Sequence, residues 1–167
     1  YGKSTLLASW LEGVDCPNAW ISLDERDNNL SEFLTYFLTA IDRLFPGSVN
    51  DSFAMLGLQE LPPIHDLASI LLNELTSIEQ NFIGILDDFH NIHEHLIHNL
   101  IDQLLLYPPR SMQLIFITRA DPPLPLARLR SKGILTEIRT HDLRFNKDET
   151  QILLGQLLQT NLNEKDV

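Results

Sequence analysis

One cysteine, Cys16, is all the sequence holds, so no internal disulfide can form and any fold must rest on a packed apolar core. No stretch approaches the about eighteen consecutive apolar residues that a membrane-spanning helix needs. Together these features indicate a reducing, cytoplasmic compartment and no membrane partner. Basic residues are scarce as well: 12 lysines and arginines stand against 23 acids, a net charge of −11. That balance excludes a domain that wraps a nucleic-acid backbone over its whole surface. There is no repeat of fixed period and no low-complexity tract, which excludes a solenoid and a disordered chain. What is present is 44% hydrophobic residues spread along 167 positions, enough for one globular domain.

The acidic excess is uneven. Residues 1–109 carry 3 basic and 16 acidic side chains, whereas residues 110–147 carry 8 and 3. An anion-binding role would draw on the later segment. The first residue is Tyr1 and no charged-then-apolar targeting pattern follows it, so the sequence reads as starting inside a longer one.

Short apolar runs alternate with longer stretches of helical period. Residues 19–23 form the first run and break into the polar turn Asp24-Glu25-Arg26-Asp27-Asn28-Asn29. Phe33, Leu34, Phe37, Leu38, Ile41, Leu44 and Phe45 then fall on one helix face that ends near Pro46-Gly47. Phe33, Tyr36, Phe37 and Phe45 read as core rather than as a base-stacking platform. The loop-like stretch 46–63 has room for a short helix at 53–58. A second amphipathic helix carries Leu67, Leu71, Leu75 and Ile78.

Phe82-Ile83-Gly84-Ile85-Leu86 is apolar at successive positions, as expected of a central strand covered on both faces of a parallel sheet. A helix with Leu96, Ile97, Leu100, Ile101, Leu104 and Leu105 follows and stops at Pro108-Pro109. Residues 113–118 predict another strand, 126–132 a short helix and 135–138 a further strand. Asn146 and Glu149 have the spacing of a capping box for a last helix reaching Gln159. Strands joined by crossover helices predict an α/β domain with a parallel sheet.

Three clusters carry chemistry. Gly2-Lys3-Ser4-Thr5 has the composition of the second half of a phosphate-binding loop, in which backbone N–H groups at a helix start surround phosphates, lysine neutralises them and a hydroxyl binds Mg²⁺. The same four residues also suit an ordinary helix start. The strand at 82–86 runs into Asp87-Asp88, which puts carboxylates at the C-terminal end of a parallel strand, where open α/β sheets bind ligands. Asp87 would hold Mg²⁺ and Asp88 would orient a water, the alternative being a pair that merely ends the strand and caps the next helix. The strand at 113–118 leads to Arg119, whose guanidinium would report a terminal phosphate.

His90, His93, His95 and His98 lack metal-ligand spacing and predict a solvated helix face, with His95 and His98 sharing it. The stretch Arg128–Lys132 reads as an exposed basic helix face, since no helix-turn-helix pattern accompanies it.

These residues, with Trp20-Ile21-Ser22-Leu23-Asp24, Leu86-Asp87-Asp88-Phe89-His90, the stretch from Thr118 to Arg130 and Leu143-Arg144-Phe145, resemble the nucleotide-binding domain of the large ATP-binding LuxR-type transcriptional regulators. That family belongs to the signal-transducing ATPases with numerous domains. The resemblance covers essentially the whole chain and is most specific at 118–130.

It implies an α/β P-loop NTPase fold, a three-layer sandwich with a parallel sheet, truncated at its N-terminus so that the strand before the phosphate loop is missing. It implies a nucleotide-binding domain over 1–145 and the start of a helical lid over 146–167. By resemblance Gly2, Lys3, Ser4 and Thr5 bind ATP or ADP, with Lys3 on the β- and γ-phosphates and Thr5 on the α-phosphate. Ser4 and Asp87 hold Mg²⁺, and Asp88 and Arg119 are the catalytic pair.

The implied function is a regulatory switch with slow ATPase activity, oligomerising with itself when activated and reaching inducer and DNA through domains outside this chain. The alternatives are a motor or loader ATPase, or a degenerate module that keeps the fold without nucleotide. The usual strand order of the class puts the missing strand between those ending at Asp87 and Thr118. The sheet is therefore expected to have a central gap. The 167-residue chain should then bind ATP weakly or not at all, and a version longer by about 15–20 upstream residues should bind it.

Overall fold

The computed structural model describes residues 2–144. Two compact units divide at Leu126 and Ala127. The first unit is built on three strands, β1 (Asn18–Ser22), β2 (Phe82–Asp87) and β3 (Met112–Phe116). They are parallel, in the order β1-β2-β3, with Ser22 opposite Asp87 and Leu86 opposite Phe116. Their C-terminal ends therefore lie along one rim.

Six residues of β2 in succession are buried, which matches its continuous apolar run. Phe82 and Leu86 enter the larger core, while Ile83 and Ile85 face a smaller cluster on the other side. Gly84 points toward the larger core. A Cβ there would stand 3.0 Å from Leu114 Cδ2, so the strand accepts Leu114 across it only because the side chain is missing.

The larger core is covered by α2 (Leu30–Leu44), α4 (Ile64–Ser77) and α5 (His95–Leu106), with α3 (Asn50–Leu56) packed at its margin. The smaller cluster is covered by α1 (Lys3–Glu12) through Leu7 and Leu11. Helices on both faces of a parallel sheet give the three-layer α/β arrangement expected of a P-loop NTPase fold. The two helical layers are unequal, because α1 has no buried residue whereas α2 alone has six.

Helix ends follow local chemistry. Asn29 caps α2 by accepting hydrogen bonds from the N–H groups of Ser31 and Glu32. Glu74 of α4 reaches the start of α3, where it accepts from the Asp51 and Ser52 N–H groups and from the Ser52 hydroxyl. Among the described residues no helix is long and apolar enough to cross a membrane.

Four expectations need correction. The central gap is absent: β2 and β3 pair directly over five residues, so each satisfies backbone groups that a gap would leave unpaired. Residues 135–138 form no strand. That segment lies mostly at the surface without a ladder partner, and ion pairs from Arg130 and Arg139 to Glu137 hold it instead. The two guanidiniums, Arg130 first, lower the Glu137 carboxyl to about 2.

Tyr36 is exposed on the outer face of α2 rather than in the core with Phe33 and Phe37. His98 is buried rather than solvated, with its Nε2 3.0 Å from the Ile92 carbonyl and its ring edge-on to Phe89. The helix and capping box expected from Asn146, and the lid region 146–167, lie outside the described residues.

The second unit begins at Ala127. The short α6 (Leu126–Ser131) leads to Gly133, whose φ of 66° turns the chain in the left-handed region that glycine occupies without strain.

Candidate functional site

Gly2 precedes α1 with φ 69°, again left-handed, and the Leu6 N–H donates to its carbonyl to close the first turn. Glycine is suited to that position because an L side chain in the same conformation costs about 1–2 kcal/mol. The N–H groups of Lys3, Ser4 and Thr5 have no acceptor within the helix, as at any helix start. No side chain caps them. The beginning of α1 thus presents unpaired donors and the positive end of a helix dipole.

At the end of β2, Asp87 is buried to 8% exposure. Its Oδ1 accepts from the Ser4 hydroxyl at 3.1 Å and from the Asp88 N–H at 3.0 Å. The described residues give Oδ2 no hydrogen-bond donor. Residues 83 positions apart in the chain are thereby joined side chain to side chain. A hydroxyl beside a carboxylate with one uncommitted oxygen is a hard-oxygen pair of the kind Mg²⁺ takes, so these residues fit the ion.

Asp88 has φ 56°, the one positive φ outside glycine among the described residues. It precedes a turn of 3₁₀ helix, Phe89–Asn91, yet its carboxylate makes no capping bond there. The reading of Asp88 as a helix cap therefore has no support. Its side chain is half exposed and stands 3.7 Å from His90 Nδ1.

Arg119 lies two residues beyond Ile117. The Ile117 N–H donates to Leu86 O and its carbonyl accepts from Phe89 N–H, which puts this part of the chain beside the Asp87-Asp88 turn. Arg119 is itself exposed. Thr118 turns its hydroxyl to the Ala120 carbonyl. Gly2 and Thr5 are exposed and Lys3 partly so.

Ser4 and Asp87 are thus in contact, Asp88 follows on the same turn, and Arg119 shares the rim without a side-chain bond to the other three. Among the described residues no group of histidine, cysteine and acids has the arrangement of a separate metal site.

The chain is 30% identical over 164 residues to the HTH-type transcriptional regulator MalT of Vibrio cholerae, a match covering 98% of this chain and 18% of that protein. The protein of the same name in Yersinia pestis strain Pestoides F is 33% identical over 167 residues, covering 99% of this chain and 18% of the relative. Over nearly its whole length the chain is similar to these regulators. It spans about a fifth of the length of these curated relatives. No family model matches it.

Sequence reasoning missed several residues of this rim. Asn28 donates from Nδ2 to the carbonyls of Glu25 and Asn91 and accepts at Oδ1 from the N–H groups of His93 and Glu94. Asn91 in turn donates to the Leu23 carbonyl at 3.1 Å. These two amides tie the turn after β1 to the turn after β2. The signal available in sequence was only that asparagines in polar turns bond nearby backbone. The partner 63 residues away was not legible. Asp24, in the family-like stretch, is occupied locally: the Arg26 guanidinium holds its carboxyl below the usual carboxylate range.

Proposed function

We propose that this chain is the nucleotide-switch domain of a LuxR-type transcriptional activator, binding Mg-ATP and ADP at the rim between α1 and β2. The observation that carries the reading is the Ser4 to Asp87 hydrogen bond, because it brings the end of a phosphate-loop half-motif against the acid that ends the central strand. The name of the relatives, transcriptional regulator, supports the regulatory setting.

In this reading the unpaired N–H groups at the start of α1 and the Lys3 amine bind the phosphate chain, with Lys3 on the β- and γ-phosphates and Thr5 on the α-phosphate. Ser4 and Asp87 would hold Mg²⁺, which when bound neutralises phosphate charge. Asp88 orients the attacking water and accepts its proton, and Arg119 reports whether the terminal phosphate is present. Hydrolysis is slow and serves to reset the switch. The triphosphate state self-associates, and inducer and DNA are met through other parts of such a regulator, in the cytoplasm. ATP then acts as a ligand that shifts a conformational population.

Replacing Lys3→Ala in the full-length protein tests this. We expect ATP affinity to fall about tenfold to a hundredfold, as for loss of a charged hydrogen bond, and inducer-dependent transcription to fall with it. Unchanged affinity would overturn the reading in favour of a module without nucleotide. Rapid turnover in the unaltered protein would favour a motor.

A further inference from the structure

We infer that His90 is a positioning residue for the carboxylate of Asp88, an assignment that rests on the reading of Asp88 as the group that orients water. The ring's Nδ1 is fully buried and has no hydrogen-bond partner. A buried polar atom of this kind is uncommon and calls for an explanation in function or in a state not yet formed. Asp88 Oδ1 stands 3.7 Å from it, just beyond hydrogen-bond range.

The two groups differ in freedom. His90 sits in a turn fixed on both sides: Phe89 is fully buried and edge-on to Phe116 at 5.0 Å, and Asn91 is tied to the Leu23 carbonyl. Its side chain is only 22% exposed. Asp88 by contrast is 48% exposed and makes no side-chain bond to the turn it begins, so its carboxylate is the partner that moves.

Asp88 also carries a left-handed backbone, a conformation that residues other than glycine adopt at a cost. A strained conformation retained at a ligand-binding rim is usually part of the site's work. Here it aims Cβ so that one carboxylate oxygen is near the imidazole. When Nδ1–H donates to Oδ1, Oδ2 is left to face the water that Asp88 orients. The bond thus reduces a freely rotating carboxylate to one useful orientation. It also selects the Nδ1–H tautomer of the neutral ring, since the proton's position follows the hydrogen bond available to it.

Two measurements test the assignment. In the full-length protein, His90→Asn puts an amide donor where Nδ1 stands, while His90→Gln puts it nearer the place of Nε2 and His90→Leu removes it. We expect His90→Asn to keep ATPase kcat within about twofold, and the other two to lose about tenfold in kcat with KM for ATP unchanged. Equal kcat in His90→Asn and His90→Gln would overturn the inference, as would a loss confined to KM.

Asp88→Asn separates the two readings. If it leaves kcat unchanged, the role given to Asp88 fails. If it abolishes turnover while His90→Gln and His90→Leu do not, only the role of His90 fails. The second measurement needs no nucleotide: long-range ¹H–¹⁵N spectra of the ligand-free chain should show His90 protonated at Nδ1, and Asp88→Ala should shift the proton to Nε2. A tautomer insensitive to Asp88→Ala would overturn the inference.

Discussion

At the scale of single residues, burial decides which polar groups matter. His98 sits on the inner face of α5 against Phe89, and burial lowers its imidazole below the usual value near 6.5, against a smaller opposing effect from its bond to the Ile92 carbonyl. The unfolded chain then takes up a proton that the folded chain resists. The stability linked to this group is present above about pH 6.5 and is lost as pH falls from there toward the lowered folded value. We expect urea midpoints to decline between pH 7.5 and 5.5, and His98→Gln, which keeps an amide donor but cannot be protonated, to flatten that decline. An unchanged slope would show that another group dominates.

The burial of His98 was not legible in sequence, because spacing alone put it with His95 on a polar face. What reversed that assignment is the carbonyl of Ile92, six residues back, which gives the ring a buried partner. Ser4 and Asp87 were legible as types of residue in suitable places. Their contact required the fold.

At the scale of elements, α3 shows how a weak helix is held. It has seven residues, no side-chain cap of its own and one buried residue, Ser52. Its start is held from outside by Glu74 of α4, whose two oxygens take both first-turn N–H groups and the Ser52 hydroxyl. Removing that carboxylate leaves three donors to water or to nothing. We expect Glu74→Ala to destabilise the chain by about 1–2 kcal/mol, seen as a lowered urea midpoint, with Glu74→Gln losing less because one acceptor oxygen remains.

The long amphipathic helices were readable from period alone, since α2, α4 and α5 bury most of the apolar residues that the spacing selected, although Leu96 at the start of α5 is exposed rather than on the inner face. The strand expected at 135–138 was not readable for the opposite reason. A short run such as Leu135-Thr136-Glu137-Ile138 forms a strand only if a neighbour exists to pair with, and no local pattern announces whether one does. Here Glu137 finds arginines instead.

At the scale of the whole molecule, the order of strands was the least legible feature. Parallel strands meet through long crossovers, here residues 23–81 and 88–111, and nothing within a strand names its neighbours. The expectation of a central gap came from resemblance, whereas the backbone of β2 is bonded on both sides, to β1 and β3. Hydrogen exchange checks this. Amides of β2 should exchange only through global unfolding, while outward-facing amides of β1 and β3 exchange faster. Exchange in β2 as fast as at the edges would argue against the pairing.

The rim has its own mechanical consequence. The Asn28 amide uses both donors and both acceptor positions, and Asn91 returns one bond to Leu23, so the crossings after β1 and β2 are riveted into a single plate. Asp88 and the entrance to α2 are carried on that plate. The 15-residue helix α2 begins just past Asn29, so its entrance and the acid turn share one hydrogen-bonded anchor at Asn28 that lies outside the hydrophobic interior.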